Sequence, residues 1–216
     1  MQPSLLNPNK NAKPGFLRLL ALTALTGFAL FGIFGIVHWF GTAWHPTAEI
    51  ICFFIPGLIL AAPSSKSFKT IKVELALAAI LGLGAGVLSH LVLPYWQQLF
   101  PVPHDYEEVL QTYLHLGWWP GFGFDLLSIA LIPAVCEEVF FRSLIFSELK
   151  NTYSLWLAFF ISALFFSLAH FVPAYWPLYF LLGLGAAWIY ETSGLFAAIM
   201  AHFIFNATGL IFWQWR

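Results

Sequence analysis

The chain has 216 residues, of which 60% are hydrophobic and only 9% charged, with a net charge of −1. A soluble domain carries about 25% charged residues, so this composition cannot cover a water-facing exterior, and the outer surface has to face lipid. No basic patch exists to neutralise phosphates, which excludes a nucleic-acid partner.

Read in chain order, the apolar runs predict an all-α, polytopic transmembrane bundle of about seven spans. The first runs from Leu19 to Phe40. It is longer than the apolar core of a signal peptide and no small-residue cleavage site follows, so it reads as an uncleaved span. The second, Thr47 to Ala62, is short and carries Pro56. The third, Glu74 to Leu93, holds Gly82, Gly84 and Gly86, which invite close approach of a neighbouring helix. Residues 94–123 hold Pro94, Pro101, Pro103 and the acidic group Asp105, Glu107 and Glu108. They read as an outer loop with a short interfacial helix. Four further helices are expected at 124–148, 154–171, 175–190 and 194–213, with Asp125 as the cap of the first. Residues 1–123 thus supply three spans and a loop, and 124–213 form the motif-bearing core of a single membrane domain. Cys52 and Cys136 lie in apolar segments and read as packing residues.

Basic residues predict the orientation. Lys10, Lys13 and Arg18 precede the first span, Lys66, Lys69 and Lys72 join the second and third, and Lys150 joins the fourth and fifth. With seven spans these loops share one side, which places the N-terminus in the cytoplasm. Arg216, at the very end, breaks the pattern.

Ionisable groups inside a span are costly unless paired or facing a polar cavity, which makes them functional candidates. In Cys136-Glu137-Glu138-Val139-Phe140-Phe141-Arg142, Glu138 and Arg142 are four residues apart and can pair on one helix face. Glu137 points elsewhere and has no such partner, which makes it the reactive carboxylate. The plainer alternative is a helix end whose charges reach lipid headgroups. Phe166-Ser167-Leu168-Ala169-His170 ends an apolar helix with an imidazole, in isolation as consistent with a packing histidine as with a catalyst. His202 and Asn206 share one face of the last helix, where they either line a polar cavity or bond two helices together. The combination on three helices favours a shared cavity. His38, His90, Tyr190 and Glu191 sit near span ends, and His45, His104 and His115 fall in expected outer loops.

These motifs resemble those of the CAAX-protease and bacteriocin-processing (CPBP) intramembrane proteases. Glu137, Glu138 and Arg142 match the family's Glu-Glu-x-x-x-Arg pattern, Phe166 and His170 its Phe-x-x-x-His, and His202 and Asn206 its His-x-x-x-Asn. The resemblance covers about 124–213. One departure is Ser143, where relatives usually have glycine.

The resemblance implies hydrolysis of a peptide bond within the membrane of a bacterial or archaeal cell, in a multi-pass inner-membrane protein. Glu137, helped by His170, would deprotonate water, and His202 with Asn206 would form an oxyanion hole. Glu138–Arg142 would be a structural ion pair and Phe166 a packing residue. The expected partner is a membrane-anchored protein or peptide, and no cofactor is expected. A rival reading makes Glu137, His170 and His202 a zinc site with an open position for water. Two others are a proton-coupled transporter and a non-catalytic immunity or chaperone protein. One tension stands against the site. Counted along straight helices, Glu137 lies about 20 Å, His170 about 30 Å and His202 about 13 Å from the cytoplasmic turns.

Overall fold

The computed structural model describes residues 15–41, 44–61, 72–101 and 119–214, and these are helical throughout apart from short turns. We number the helices α1 (Gly15–Phe40), α2 (His45–Leu60), α3 (Lys72–Leu99), α4 (residues 119–152), α5 (Leu155–Leu168), α6 (Trp176–Ser193) and α7 (Leu195–Gln214). Three stretches, Leu17–Phe40, Glu74–Leu99 and Leu195–Phe212, are long and apolar enough to cross a membrane. α2 and α5 are apolar but shorter.

The centre of the bundle is α4. Phe140, Phe141, Ile145, Phe146 and Leu149 along it are wholly buried. The surface is inverted relative to a soluble protein: Phe28, Phe31 and Phe34 on α1, and Leu83 and Leu88 on α3, are exposed. Among the described residues, then, the longest apolar helices lie outside and the charge-bearing helix lies inside, as a lipid solvent demands.

Small residues set the tightest crossing. A Cβ on Gly82 would sit 2.3 Å from the carbonyl oxygen of Ala201, and one on Gly86 would sit 2.7 Å from Thr208. These glycines seat α3 against α7, while Gly84 has nothing within 4 Å and plays no part. Gly82→Ala is expected to destabilise the folded protein by about 1–3 kcal/mol, with Gly84→Ala neutral. Thermal unfolding in matched detergent checks the pair.

At one end of the bundle Arg18 approaches Glu148 at 3.4 Å and donates to Thr152 at 3.1 Å. Nearby in sequence, Lys150 pairs with Glu191 at the end of α6. Arg18 and Lys150 therefore gather at a common end, as a one-sided distribution of basic residues requires. Lys10, Lys13, Lys66, Lys69 and Arg216 lie outside the described residues, as do Asp105, Glu107, Glu108, His104, His115 and most of the expected interfacial helix.

Several boundaries differ from the sequence expectation. α3 runs through Pro94 to Leu99 instead of ending at Leu93. The extension is useful, because Trp96 donates to the carbonyl of Ala174 at 2.7 Å and Gln97 to the Tyr175 hydroxyl at 2.8 Å. It braces the segment after α5. Asp125 is not a cap: helix already precedes it from Trp119, and its side chain is buried. His45 is not in a loop but opens α2. Both cysteines are free and buried, in keeping with packing roles.

Candidate active site

Three π-helical stretches, Ile50–Phe54 in α2 and Leu126–Leu131 and Val139–Phe146 in α4, lie on the two helices that carry the buried carboxylates. Such turns take more residues per turn, advance less per residue and recur at functional sites. At the end of the last of them the backbone N–H of Ser147 donates to the carbonyl of Arg142, five residues back. The straight-rod depth count fails partly for this reason.

It fails also because α5 stops at Leu168, after 14 residues, and begins only at Leu155. That places its end about 20 Å from its start, level with the depth counted for Glu137. His170 follows the helix end, in a turn where Phe171 takes φ +50°, a left-handed conformation that costs a non-glycine residue energy. The brace from Trp96 and Gln97 holds this turn.

Glu138 and Arg142, one helical turn apart, are both wholly buried. Arg142 Nε donates to Glu138 Oε2 at 3.0 Å, and Nη1 reaches Ser162 Oγ at 3.4 Å. The guanidinium carbon stands 4.8 Å from the centre of the Phe166 ring, a cation–π contact. Phe166 in turn packs on His170 and His202, with ring centres 4.7 and 5.9 Å away. Ser167 donates to the Trp176 carbonyl at 2.6 Å, a structural bond.

The two imidazoles are held differently. His170 Nδ1 is 2.8 Å from the carbonyl oxygen of Phe166. A carbonyl only accepts, so Nδ1 carries the proton and Nε2 is left as the accepting nitrogen. The ring stacks on Tyr179 at 3.8 Å, a neighbour no sequence pattern signalled. His202 Nδ1 is 2.9 Å from Glu138 Oε1, and its Nε2 is 3.9 Å from Glu137 Oε2. Glu138 therefore has two tasks, since the carboxylate that neutralises Arg142 also orients His202.

Glu137 itself is 9% exposed, and its Oε2 has no hydrogen-bond partner. Ser143, in the place of the usual glycine, also has a buried hydroxyl oxygen without a partner. His170, His202 and Asn206 line one cavity of about 280 Å³ between α3, α6 and α7. Its remaining walls are mostly apolar, with Leu81, Gly185 and Phe205 among them.

The structure thus gathers Glu137, Glu138, Arg142, Phe166, His170 and His202 into one network, with Asn206 a turn beyond His202 on the cavity wall. It adds Glu49, which is 3% exposed on α2, with one oxygen 3.5 Å from His45 and the other unpartnered. A carboxylate two residues into an expected span was itself the signal, by the same cost argument that singles out Glu137. Among the described residues, no three His, Cys, Asp or Glu side chains are arranged to hold a metal ion. As placed, Glu137, His170 and His202 do not fit a zinc centre.

No curated protein and no solved structure matches the chain. The family model described as Type II CAAX prenyl endopeptidase Rce1-like matches residues 119–208. That stretch begins with α4 and ends inside α7, and it takes in Glu137, Glu138, Arg142, Phe166, His170, His202 and Asn206. Over the segment that holds the candidate site, this chain is similar to the Rce1-like type II CAAX prenyl endopeptidases.

Proposed function

We propose that the protein is an intramembrane endopeptidase that hydrolyses a peptide bond in a membrane-anchored protein or peptide. The observation that carries this reading is the meeting of a buried carboxylate, Glu137, with two imidazoles beside an apolar cavity, one held by a backbone carbonyl and the other by a carboxylate.

In this mechanism Glu137 takes a proton from water as that water attacks the scissile carbonyl, and His170 Nε2, an acceptor by its tautomer, shares the task. His202 serves as an oxyanion donor through Nε2. Because its Nδ1 proton is committed to the Glu138 carboxylate, donation from Nε2 requires the ring to carry both protons, and Glu138 supplies the counter-charge. Asn206 donates the second hydrogen bond through its amide. Such donors contribute about 3–4 kcal/mol each to transition-state stabilisation. The proton on Glu137 then passes to the leaving amine.

The family has often been read as zinc-dependent. The placement of these side chains supports no step through a metal. Cleavage is therefore expected to survive exhaustive chelation, measured with and without zinc added back.

The apolar cavity is the proposed seat of the substrate's membrane-facing side chains. Gly185 lies on its wall, and a Cβ there meets nothing within 4 Å. Gly185→Leu is expected to fold normally and lower kcat/KM by roughly tenfold or more, chiefly through KM. Unchanged kinetics would place the substrate elsewhere.

The direct test uses purified protein in liposomes with a panel of membrane-anchored tail peptides, the products being identified by mass spectrometry. A single internal cut in at least one peptide supports the reading. Active-site variants that cleave as fast as wild type would refute it.

A further inference from the structure

The mechanism leaves a buried carboxylate, Glu49, unused. Glu49 stands at the junction of the first α-helical turn of α2 with its π-helical stretch. Ala48 and Glu49 are buried, and the segment packs on residues 126–138 of α4, which include Glu137. The charge of Glu137 reaches both Glu49 and His45, and Cys136 lies within reach of both carboxylates. Each carboxylate has one buried oxygen, Oε2, with no hydrogen-bond partner.

Two buried carboxylates on packed helices cannot both keep a full charge cheaply in a medium that excludes water, and neither can leave an oxygen unpaired without cost. One proton held between them removes both penalties. It turns one orphan acceptor into a donor aimed at the other, and a single water could bridge the same two oxygens if they stand too far apart for direct contact. His45 occupies the other end of Glu49, 3.5 Å from its Oε1, with a side chain 38% exposed. Arg142, the buried cation of the network, already serves Glu138, so no arginine competes for this pair.

We propose that Glu49 is a positioning residue for Glu137: the two carboxyl groups share one proton, directly or through one water, and this bond fixes the orientation of the Glu137 carboxylate toward the reacting water. His45 anchors the opposite oxygen of Glu49 and connects the pair to the exposed start of α2. The inference rests on the proposed role of Glu137 as general base. Glu49 lies outside the stretch matched by the family model, on a helix that the motifs do not include.

The test compares Glu49→Gln with Glu49→Leu in the full-length protein, using cleavage kinetics and infrared spectroscopy of the carboxyl region. The amide of glutamine still donates a hydrogen bond to Glu137, whereas leucine fills the space without one. Glu49→Leu is expected to lower kcat by about 10²-fold with KM nearly unchanged, and Glu49→Gln to recover most of that loss. Thermal stability of the leucine variant should be somewhat below wild type, since Glu137 loses its buried hydrogen-bond partner, and kinetics are therefore compared at equal folded concentration. In the infrared, wild type should show the C=O stretch of a protonated carboxyl group that disappears in Glu49→Gln and shifts in Glu137→Gln. Wild-type kcat in Glu49→Leu, or equal losses in both variants, would overturn the assignment. So would a carboxyl spectrum indifferent to Glu49→Gln. If wild type cleaves no peptide, the protease reading fails, and the infrared comparison alone still decides whether the proton is shared.

Discussion

Glu137→Gln is expected to reduce cleavage by about 10²- to 10⁴-fold, the range a positioned general base contributes. The amide keeps the size and shape of the side chain but cannot accept the proton of water. Stability should be close to wild type, because the neutral amide fits the same buried site without a charge to desolvate. This combination separates a catalytic carboxylate from a structural one. A loss of activity that merely tracks a loss of folded protein would indicate the structural role.

Arg142→Leu should have the opposite signature at first sight, a large loss of stability. It leaves Glu138 buried without its cation, and breaking a buried pair from one side costs about 3–5 kcal/mol. Replacing both members, Glu138→Leu with Arg142→Met, should restore much of that stability, since well-packed apolar residues substitute for buried pairs at little cost. Activity should not return with it. His202 Nδ1 meets Glu138 at 2.9 Å, and without that carboxylate the imidazole loses its orientation and its counter-charge. The loss expected from one misplaced oxyanion donor is about 10²- to 10³-fold. Thermal unfolding and cleavage, measured on Arg142→Leu and the double variant together, read the two effects independently. Full recovery of activity in the double variant would remove His202 from the mechanism.

The helical class, the main helices and the polar residues that the structure brings together were legible in the sequence for a simple reason. In an apolar chain each buried charge is conspicuous, and Glu137, Glu138, Arg142, His170 and His202 stand out against their surroundings. The Glu138–Arg142 pair follows from helix periodicity alone. The bond from His202 to Glu138 does not, because its partners are 64 residues apart and only tertiary packing brings them together. The depth mismatch came from treating helices as straight rods, which π-helical turns and the early end of α5 at Leu168 both violate. Pro94 suggested a break, yet it sits inside α3, where the extension to Leu99 is held by the bonds of Trp96 and Gln97 to the turn after His170. Asp125 and His45 were placed by their distance from apolar runs, a measure blind to polar helix ends. Tyr179 carries no pattern, since an aromatic residue on an apolar helix looks the same whether it stacks on the His170 imidazole or on lipid. Lys10, Lys13, Lys66 and Lys69 lie outside the described residues, and the membrane orientation that the basic residues predict rests on the sequence.

The most direct measurement is the cleavage rate of whichever membrane-anchored peptide wild type cuts best, determined for wild type and Glu137→Gln in the same liposomes at equal folded concentration. An internal cut by wild type, slowed at least a hundredfold in a Glu137→Gln protein of stability close to wild type, is the expected result. Equal rates in the two proteins would contradict the assignment of Glu137 as the base and, with it, the proposed mechanism.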